Sequence, residues 1–403
     1  MAGATLTTLS NLLKDFYLPP VVEQLNNEVL LLQRLESRSQ ELFGNQAVVP
    51  LHKGRSGGVG ARAEGGQLPS PGAQAYARAT YDLKYLYGRV RVTGPSMAKT
   101  AAEAGSFLQA LKGELDGIRA DLRKDVARQV YGNGTAQIAT CVSNAAGVIT
   151  ISSAEPIRKG QLYVGQVLDV GTAAAPTLRA SATTITAITA ATPSVTVDNS
   201  GITVAGTDFL FRQGSAGAGT VFEIDAGLQK IVSATPTTGT LGGLNRATAG
   251  NEYWQNMVIA QGGVLALDTM QQAVNRVQIA GGTTSGIYTS FGVQRQYFNL
   301  LQSQVRYNEP QTIKGGFQTL DFAGKPLIAD LDHPDGKMHF LQEEFIKVFS
   351  NRDWHFLDED GNVLKWRSDY DEWEAVLARY MNLGATRANT QLVVSTITDT
   401  LGY

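Results

Sequence analysis

Residues 106–135 read SFLQALKGELDGIRADLRKDVARQVYGNGT, and this stretch decides how the rest of the chain is interpreted. Its apolar side chains recur every three or four residues, which is the period of one face of an α-helix. They are Phe107, Leu108, Leu111, Leu115, Ile118, Leu122, Val126 and Val130. The pattern predicts a single helix over residues 106–131, on the order of 40 Å long at about 1.5 Å per residue. The glycines at 132 and 134 predict where it ends.

Two glycines, Gly113 and Gly117, lie inside this predicted helix. Each should cost about 1 kcal/mol relative to alanine. They indicate either close packing of the helix against a sheet or a helix that is built to bend.

The chain before the helix is predicted to project. Residues 5–43 have helical periodicity that is interrupted at Pro19 and Pro20, and two short amphipathic helices cannot form a core of their own. We therefore interpret residues 1–45 as an arm. Residues 46–92 are strand-like at both ends and glycine-rich in between, which predicts a long β-hairpin with a flexible tip. Such a hairpin is marginally stable alone and needs a neighbouring surface.

The chain after the helix changes composition twice. Residues 142–218 are dominated by Thr, Val, Ile, Ala and Gly and alternate at period two, which predicts a small all-β module. Mixed patterning resumes near Phe222, so the fold class is α+β. Helices are predicted over 263–277 and 291–304, and strands over 286–290, 320–322, 326–329, 345–349 and 391–398.

Composition excludes several classes of protein. The 403 residues are 43% hydrophobic and 17% charged, which is typical of a globular protein that exceeds a single core. The net charge of −2 provides no overall attraction to nucleic acid or to anionic membranes. Cys141 is the single cysteine, so there is no intramolecular disulfide framework and no cysteine metal site. We expect neither a signal peptide nor a membrane span.

No constellation of residues predicts catalysis, a cofactor or a metal site. The densest group of possible metal ligands comprises Asp330, Asp332, His333, Asp335 and His339. It is better interpreted as a polar turn between strands. The run Asp358-Glu359-Asp360-Gly361 lacks the spacing and the closing glutamate of a calcium loop and indicates a hairpin turn. The glycines of residues 54–60 lack the lysine and Ser/Thr of a phosphate-binding loop.

The order of these segments resembles the major capsid proteins of tailed bacteriophages, which share the Hong Kong 97 fold. The stretches that carry the resemblance are collinear along most of the chain. They are Thr93–Ala98, Lys124–Thr135, Gly242–Arg246, Tyr253-Trp254, Leu267–Met270, Tyr288–Ser290, Arg306-Tyr307, Gly315-Gly316 and Phe322–Leu327. The all-β module is a departure from the minimal fold.

The resemblance implies an architecture. Residues 1–45 would form the N-terminal arm, 46–92 the extended loop, 93–141 the peripheral domain with its spine helix, 142–218 an inserted β-rich domain, 219–364 the axial domain, and 365–403 a return to the peripheral domain.

The resemblance also implies a function, which is self-assembly without catalysis. The chain would form hexamers and pentamers of an icosahedral phage head around double-stranded DNA, assembled in the host cytoplasm without a membrane. A portal protein, a decoration protein and non-specific contact with the packaged DNA are implied partners. Because residues 1–45 are too short for a built-in assembly domain, we expect a separate scaffolding protein.

Charged residues suggest how neighbouring subunits would meet. The hairpin carries basic residues at Lys53, Arg55, Arg62, Lys84, Arg89 and Arg91. The helix carries acidic residues at Asp116, Asp121 and Asp125. Exposed pairs between these sets would contribute about 0 to 1 kcal/mol each and would set register more than strength. A solvated mixed-charge surface explains the same residues equally well.

Two alternative functions and one question of covalent crosslinking remain open at this point. An encapsulin-like bacterial compartment shell would use the same fold. A hydrolase or carbohydrate-binding protein would use the all-β module. Some relatives crosslink a hairpin lysine to an asparagine of the next subunit, and Lys53 is the lysine nearest the predicted tip.

Overall fold

The computed structural model describes residues 30–36, 39–42, 44–95, 104–172, 177–217, 220–303, 311–312, 318–358 and 363–399. The helices are α1 (Leu30–Glu36), α2 (Ala104–Tyr131), α3 (Glu155–Arg158), α4 (Leu228–Ile231), α5 (Leu267–Ile279) and α6 (Phe291–Ser303), with 3₁₀ turns at Glu252–Trp254 and Glu343–Phe345. Within these residues, no helix is both long enough and apolar enough to cross a bilayer.

Strands outnumber helices in the described residues. In the first half of the chain they are β1 (Gln40–Glu41), β2 (Gln46–Gly54), β3 (Ala75–Asp82), β4 (Lys84–Thr93), β5 (Gln137–Ala145), β6 (Val148–Ile151), β7 (Val167–Thr172), β8 (Leu178–Thr189), β9 (Ser194–Val197), β10 (Asp208–Arg212), β11 (Ala216–Gly217) and β12 (Thr220–Val221). In the second half they are β13 (Thr240–Leu241), β14 (Leu244–Asn245), β15 (Met257–Gly263), β16 (Gly286–Thr289), β17 (Gln311–Thr312), β18 (Gln318–Phe322), β19 (Lys325–Ala329), β20 (Met338–Leu341), β21 (Ile346–Phe356), β22 (Lys365–Trp366), β23 (Glu372–Ala385) and β24 (Leu392–Ile397).

The chain divides into two compact units. The first comprises Met1–Glu41, Lys84–Asp225 and Ser350–Asn382, and the second comprises Leu42–Leu83, Ala226–Phe349 and Leu383–Tyr403. The mixed α+β prediction is confirmed. The long helix predicted from residue 106 to 131 is confirmed as α2, and the two later helices are confirmed as α5 and α6 within a few residues at their ends.

In the first unit, α2 packs on a sheet. Strand β4 pairs antiparallel with β23, from Lys84 opposite Met381 to Thr93 opposite Glu372. Alternate residues of β4, including Leu86 and Val90, are buried, because successive side chains of a strand point to opposite faces. Gly88 lies between them, and a Cβ there would overlap the side chain of Leu122 on α2. The close approach of helix and sheet therefore depends on a glycine of the strand.

The expectation of close packing at Gly117 is wrong. Gly117 is exposed, and nothing lies within 4 Å of the position that its Cβ would take. The surroundings of Gly113 lie outside the described side chains. Helical periodicity shows that Gly117 is on the helix, but it does not show which partner would face it.

The first unit also contains a closed six-stranded barrel, in the order β10-β5-β6-β9-β8-β7. These strands run from Gln137 to Arg212, so the barrel overlaps the module predicted over residues 142–218 but begins before it. The barrel has its own apolar core, made of Cys141, Ile149, Leu168, Val170, Ile185, Val195, Leu210 and their neighbours. Closure leaves no free strand edge, so the barrel does not need another sheet to complete it.

Only the end of the predicted N-terminal arm is described. Leu31, Leu32 and Leu35 on α1 are each 1% exposed, and Glu36 forms an ion pair with Arg379. The apolar stripe predicted over this segment is therefore buried in the same unit. The first helix of the predicted arm, around Leu6 to Phe16, lies outside the described residues.

The second unit is built on a seven-stranded mixed sheet in the order β15-β24-β20-β16-β19-β18-β17. Helices α5 and α6 pack on it through one apolar cluster that includes Met270, Val274, Val293, Tyr297 and Phe340. The pairs β15–β24 and β16–β19 are parallel, and the β20 pairs are antiparallel.

Candidate subunit-contact surface

The projecting segment is a two-stranded ribbon, β2 and β3, closed by the loop of residues 55–74. The strands pair antiparallel from Gln46 opposite Asp82 to Gly54 opposite Ala75. At the root, the Tyr81 hydroxyl donates to the carbonyl oxygen of Ala385 at 3.0 Å and accepts from its N–H at 3.1 Å. The root is therefore fixed to the second unit.

Large apolar side chains at the tip of the ribbon are open to solvent. Val59 is 88% exposed, Leu68 is 81% exposed, and Tyr76 at the start of β3 is 72% exposed. Isolated exposed apolar side chains are normal on a monomer, but two on one loop with a third beside it indicate a contact surface. We call residues 55–74 the ribbon tip.

The ribbon is shorter than the predicted hairpin of residues 46–92. Its second strand ends at Asp82, and β4 pairs with β23 of the first unit instead of with β2. The physical reason is burial, because Leu86 and Val90 need a core on one face and a two-stranded ribbon offers none. The sequence is strand-like on both sides of Leu83, so its pattern does not show that β3 and β4 pair with different strands.

The six basic residues predicted for the hairpin therefore separate into two groups. Lys53, Arg55 and Arg62 lie on the ribbon and are exposed. The other three, Lys84, Arg89 and Arg91, lie on β4. Lys84 donates to the carbonyl oxygen of Val221 at 2.9 Å, Arg89 forms an ion pair with Glu374, and Arg91 is exposed.

The three acidic residues of α2 differ in the same way. Asp121 is exposed. Asp116 pairs with Arg119 one turn along the helix. Asp125 is held by Arg128 at 2.9 Å and by Arg212 of the barrel at 2.8 Å. Asp125 is thus engaged within its own subunit.

Asp125 belongs to a buried charge network that sequence reasoning missed. Arg128 pairs with both Asp125 and Glu223, and its side chain is 9% exposed. Gln129 donates to Asp125 at 2.7 Å, and its amide oxygen accepts from the Ile224 N–H at 3.1 Å. The network ties α2 to the last barrel strand and to the segment that leaves the barrel.

Burial and charge act in opposite directions on this network. Burial alone would raise the pKa of Asp125, but the adjacent Arg128 and Arg212 guanidinium groups outweigh it and lower that pKa. Burial raises the pKa of Glu223, since it outweighs the attraction of Arg128 and the nearby Asp125 adds repulsion. Of these two carboxyl groups, Asp125 is therefore the one that stays ionised to lower pH.

The predicted polar turn at residues 330–337 lies between β19 and β20, as expected. His333 and His339 are fully buried there, with Nε2 of the first 2.7 Å from Nδ1 of the second. Burial lowers the pKa of His339 to about 3, and Lys337 adds to that effect. No group of three metal-ligating side chains occurs among the described residues. Most of the run Asp358-Glu359-Asp360-Gly361 lies outside them.

Lys53 contacts an asparagine of its own chain. Its Nζ lies 3.5 Å from Oδ1 of Asn251, which is 8% exposed. Glu252 is beside this pair, and hydrogen bonds from backbone N–H groups lower its pKa. The residue types of an amide crosslink are thus together within one subunit.

No protein-family model matches this sequence, and no curated protein matches it. Solved structures do match. A chain of the cyanophage A-1(L) capsid asymmetric unit is 14% identical, with a TM-score of 0.58, over 92% of this chain and 93% of that one. A capsid chain of a native gene-transfer-agent particle is 10% identical, with a TM-score of 0.47, over 93% and 91%. A chain of an encapsulin complex from Synechococcus elongatus is 9% identical, with a TM-score of 0.49, over 93% and 89%.

At 14% identity the cyanophage match, which covers nearly all of both chains, establishes the fold. This chain has the Hong Kong 97-type fold of tailed-phage major capsid proteins.

Proposed function

We propose that the chain is the major capsid protein of a tailed bacteriophage and assembles with copies of itself, as hexamers and pentamers, into an icosahedral head around double-stranded DNA. The observation that carries the proposal is the ribbon, whose tip exposes Val59 and Leu68 on a chain with a capsid fold. A projecting ribbon with an apolar tip serves a protein that binds its own copies.

Ring assembly requires this kind of asymmetry. Closed rings of one subunit type use heterologous contacts, in which a projection of each subunit binds a different surface of the next. The ribbon tip would be the projection. Full burial of a leucine side chain contributes about 2 kcal/mol to the free energy of association. The same contact is repeated at every subunit of a ring, so a small contact adds up to a large contribution to assembly.

Ion pairs between subunits would then involve the charges that are exposed. Arg55 and Arg62 on the ribbon tip and Asp121 on α2 are exposed, whereas Asp125 is engaged inside its own subunit. Pairs of this kind would contribute about 0 to 1 kcal/mol each and would select register.

The proposed domains follow the capsid architecture. The arm would span residues 1–45, and the extended loop would end at Asp82. The peripheral domain, with α2 as its spine helix, would comprise residues 84–141 and 350–382, and the axial domain residues 219–349 and 383–403, because the two compact units divide at residues 84, 350 and 383. The barrel would be an insertion between the spine helix and the axial domain. Its independent core supports this proposal.

The first experiment is expression of the chain alone and together with a scaffolding protein from the same genome, followed by electron cryo-microscopy. We expect aberrant shells or none from the chain alone and closed icosahedral shells with the scaffold. Particles from infected cells should contain double-stranded DNA. Particles that enclose an enzyme would favour a compartment shell, and a small monodisperse monomer under all conditions would refute a shell function.

A charged substitution at the ribbon tip tests the contact itself. Leu68→Asp should abolish closed shells, because a carboxylate cannot be buried at an apolar contact without a partner. Val164→Asp is the matched control, since Val164 is also apolar and 60% exposed but lies on the barrel. Both subunits should fold, as measured by circular dichroism. Equal assembly of both variants would contradict the assignment of the ribbon tip as a contact.

A further inference from the structure

The small hairpin β13–β14 packs against the ribbon near its root. Its turn is Gly242-Gly243, with φ of +58° and +77°, the pair of positive values that a two-residue hairpin turn favours. The carbonyl oxygen of Gly242 accepts a hydrogen bond from the Thr80 N–H at 2.9 Å. A Cβ at Gly242 would lie 2.8 Å from the Ala79 side chain and 3.0 Å from the Tyr81 ring. The contact therefore requires glycine for space as well as for backbone conformation.

The hairpin is itself anchored on its other side. The indole N–H of Trp254, which is 1% exposed, donates to the carbonyl oxygen of Leu241 at 3.0 Å. Arg246, which is 2% exposed, donates to the carbonyl oxygens of Lys230 and Ile231 at 3.0 and 2.7 Å. A buried tryptophan and a buried arginine thus hold the hairpin in the second unit.

A second contact reaches the ribbon further from its root. Asn251 donates to the carbonyl oxygen of Asn245 at 2.8 Å, and its Oδ1 faces Lys53 Nζ at 3.5 Å. Lys53 is at the outer end of β2, next to the ribbon tip. Residues 239–251 therefore touch the ribbon at two levels, once at Thr80 and once at Lys53.

We infer that residues 239–251 form a strut that fixes the direction of the ribbon before any neighbour binds, with Gly242 as the positioning residue. A two-stranded ribbon alone is marginal in water and would sample many directions. Holding it in one direction in the free subunit removes an ordering cost from assembly. The inference rests on the proposed function for what the ribbon binds, but not for how the ribbon is held.

The amide of Thr80 is the natural probe. Its hydrogen bond goes to the strut, whereas the ribbon's ladder holds other amides. Hydrogen exchange on the unassembled subunit, resolved to single residues, reports whether this bond opens. In Gly242→Ala we expect Thr80 exchange to accelerate about tenfold or more.

Gly239→Ala is the matched control. Gly239 also has positive φ, at +77°, and lies three residues before Gly242, but nothing is within 4 Å of the position of its Cβ. Both substitutions impose the same kind of backbone strain, and only one pushes on the ribbon. We expect wild-type exchange at Thr80 in Gly239→Ala. Adding Ala79→Gly to Gly242→Ala should slow the exchange in part, because it removes the 2.8 Å overlap and leaves the 3.0 Å approach to the Tyr81 ring.

The outcomes separate the strut from the proposed function. Equal Thr80 exchange in Gly242→Ala and Gly239→Ala would overturn the strut, whatever either variant assembles into. Faster exchange in Gly242→Ala alone, with aberrant shells from that variant and normal shells from Gly239→Ala, supports it. If the wild type forms no shells, the proposed function fails while the exchange data still decide the strut.

A second pair of variants covers the case in which Gly242→Ala does not fold. Lys53→Met removes the outer contact, and Arg55→Met changes a similarly exposed basic residue beyond the end of β2. We expect faster exchange in the outer half of the ribbon for Lys53→Met only. Identical exchange in the two variants would contradict the outer contact.

Discussion

Replacing Asp125 with Asn should loosen the barrel from the long helix. The substitution keeps the size of the side chain and removes its charge. Asp125 accepts from Arg128 at 2.9 Å, from Arg212 at 2.8 Å and from Gln129 at 2.7 Å. The two arginine bonds are the ones that weaken, and the bond to Arg212 is the one that reaches the barrel.

The magnitude follows from burial. The Asp125 side chain is 15% exposed, so water can replace little of what is lost. Hydrogen bonds to charged groups contribute about 1.5 to 3 kcal/mol each. Arg128 keeps Glu223 as a partner, and Arg212 is 29% exposed and can be solvated. These alternative partners reduce the expected loss in the free energy of unfolding to about 2 to 4 kcal/mol.

Cys141 provides the assay. It is fully buried in the barrel core, and burial, with a smaller effect of Asp208, raises its pKa to about 12. A thiol reagent therefore reacts with it only when the first unit unfolds and the barrel opens with it, since the thiolate is the reactive form. A loss of 2 to 4 kcal/mol corresponds to labelling that is about 30- to 700-fold faster in Asp125→Asn at pH 7.

The effect should also depend on pH. The folded pKa of Asp125 is lowered, so its contribution is present above the unfolded value near 3.8 and disappears as pH falls through the lower folded value. The difference in stability between wild type and Asp125→Asn should therefore vanish in strong acid.

Asp116→Asn is the control, because Asp116 also pairs with an arginine three residues later but is 48% exposed. It should change Cys141 labelling by less than about fivefold, in line with an exposed pair of 0 to 1 kcal/mol. The reasoning is refuted if Asp125→Asn labels Cys141 no faster than Asp116→Asn does.

Three further outcomes are expected. Gly117→Ala should stabilise the subunit by about 1 kcal/mol in urea unfolding, since Gly117 lies in an exposed helix position with open space around it; a destabilised variant would contradict the helix geometry. The intact mass under denaturing conditions should be that of the unmodified chain, with no ammonia lost between Lys53 and Asn251, because Lys53 is exposed to water and its Nζ faces the amide oxygen of Asn251 at 3.5 Å as a hydrogen-bond donor. Finally, the free energy of unfolding should fall by about 2 kcal/mol between pH 7 and pH 5. The pKa of His339 is lowered to about 3 from 6.5 in the folded state, so the unfolded state binds the proton first. A calorimetric stability that does not change over this pH range would contradict the burial of His339.

The parts of the fold that could be predicted from sequence are those set by local periodicity. Helix α2 follows directly from apolar spacing at three to four residues, and most strands of the barrel lie where apolar residues alternate at period two. Each of these patterns is complete within its own segment. The prediction needed no knowledge of the partner.

What sequence could not predict is which partner a correctly identified strand chooses. Residues on both sides of Leu83 are extended, yet β3 pairs with β2 and β4 pairs with β23. The second choice depends on a strand almost 300 residues away in the chain, which supplies a sheet over α2. For the candidate contact surface, this choice removed Lys84, Arg89 and Arg91 from the ribbon.

The acidic residues of α2 show the same limit at the level of single side chains. Asp116-Gly117-Ile118-Arg119 and Asp125-Val126-Ala127-Arg128 have the same spacing of acid and base, and both acids pair with their arginine. The first pair is at the surface, and the second is buried because Arg212 and Glu223 close over it. Both closing residues come from beyond the long helix, so no window of sequence around Asp125 contains the difference. An acid that looks available for a neighbour is instead part of the joint that holds the barrel, and the search for intersubunit partners on this helix moves to the exposed Asp121.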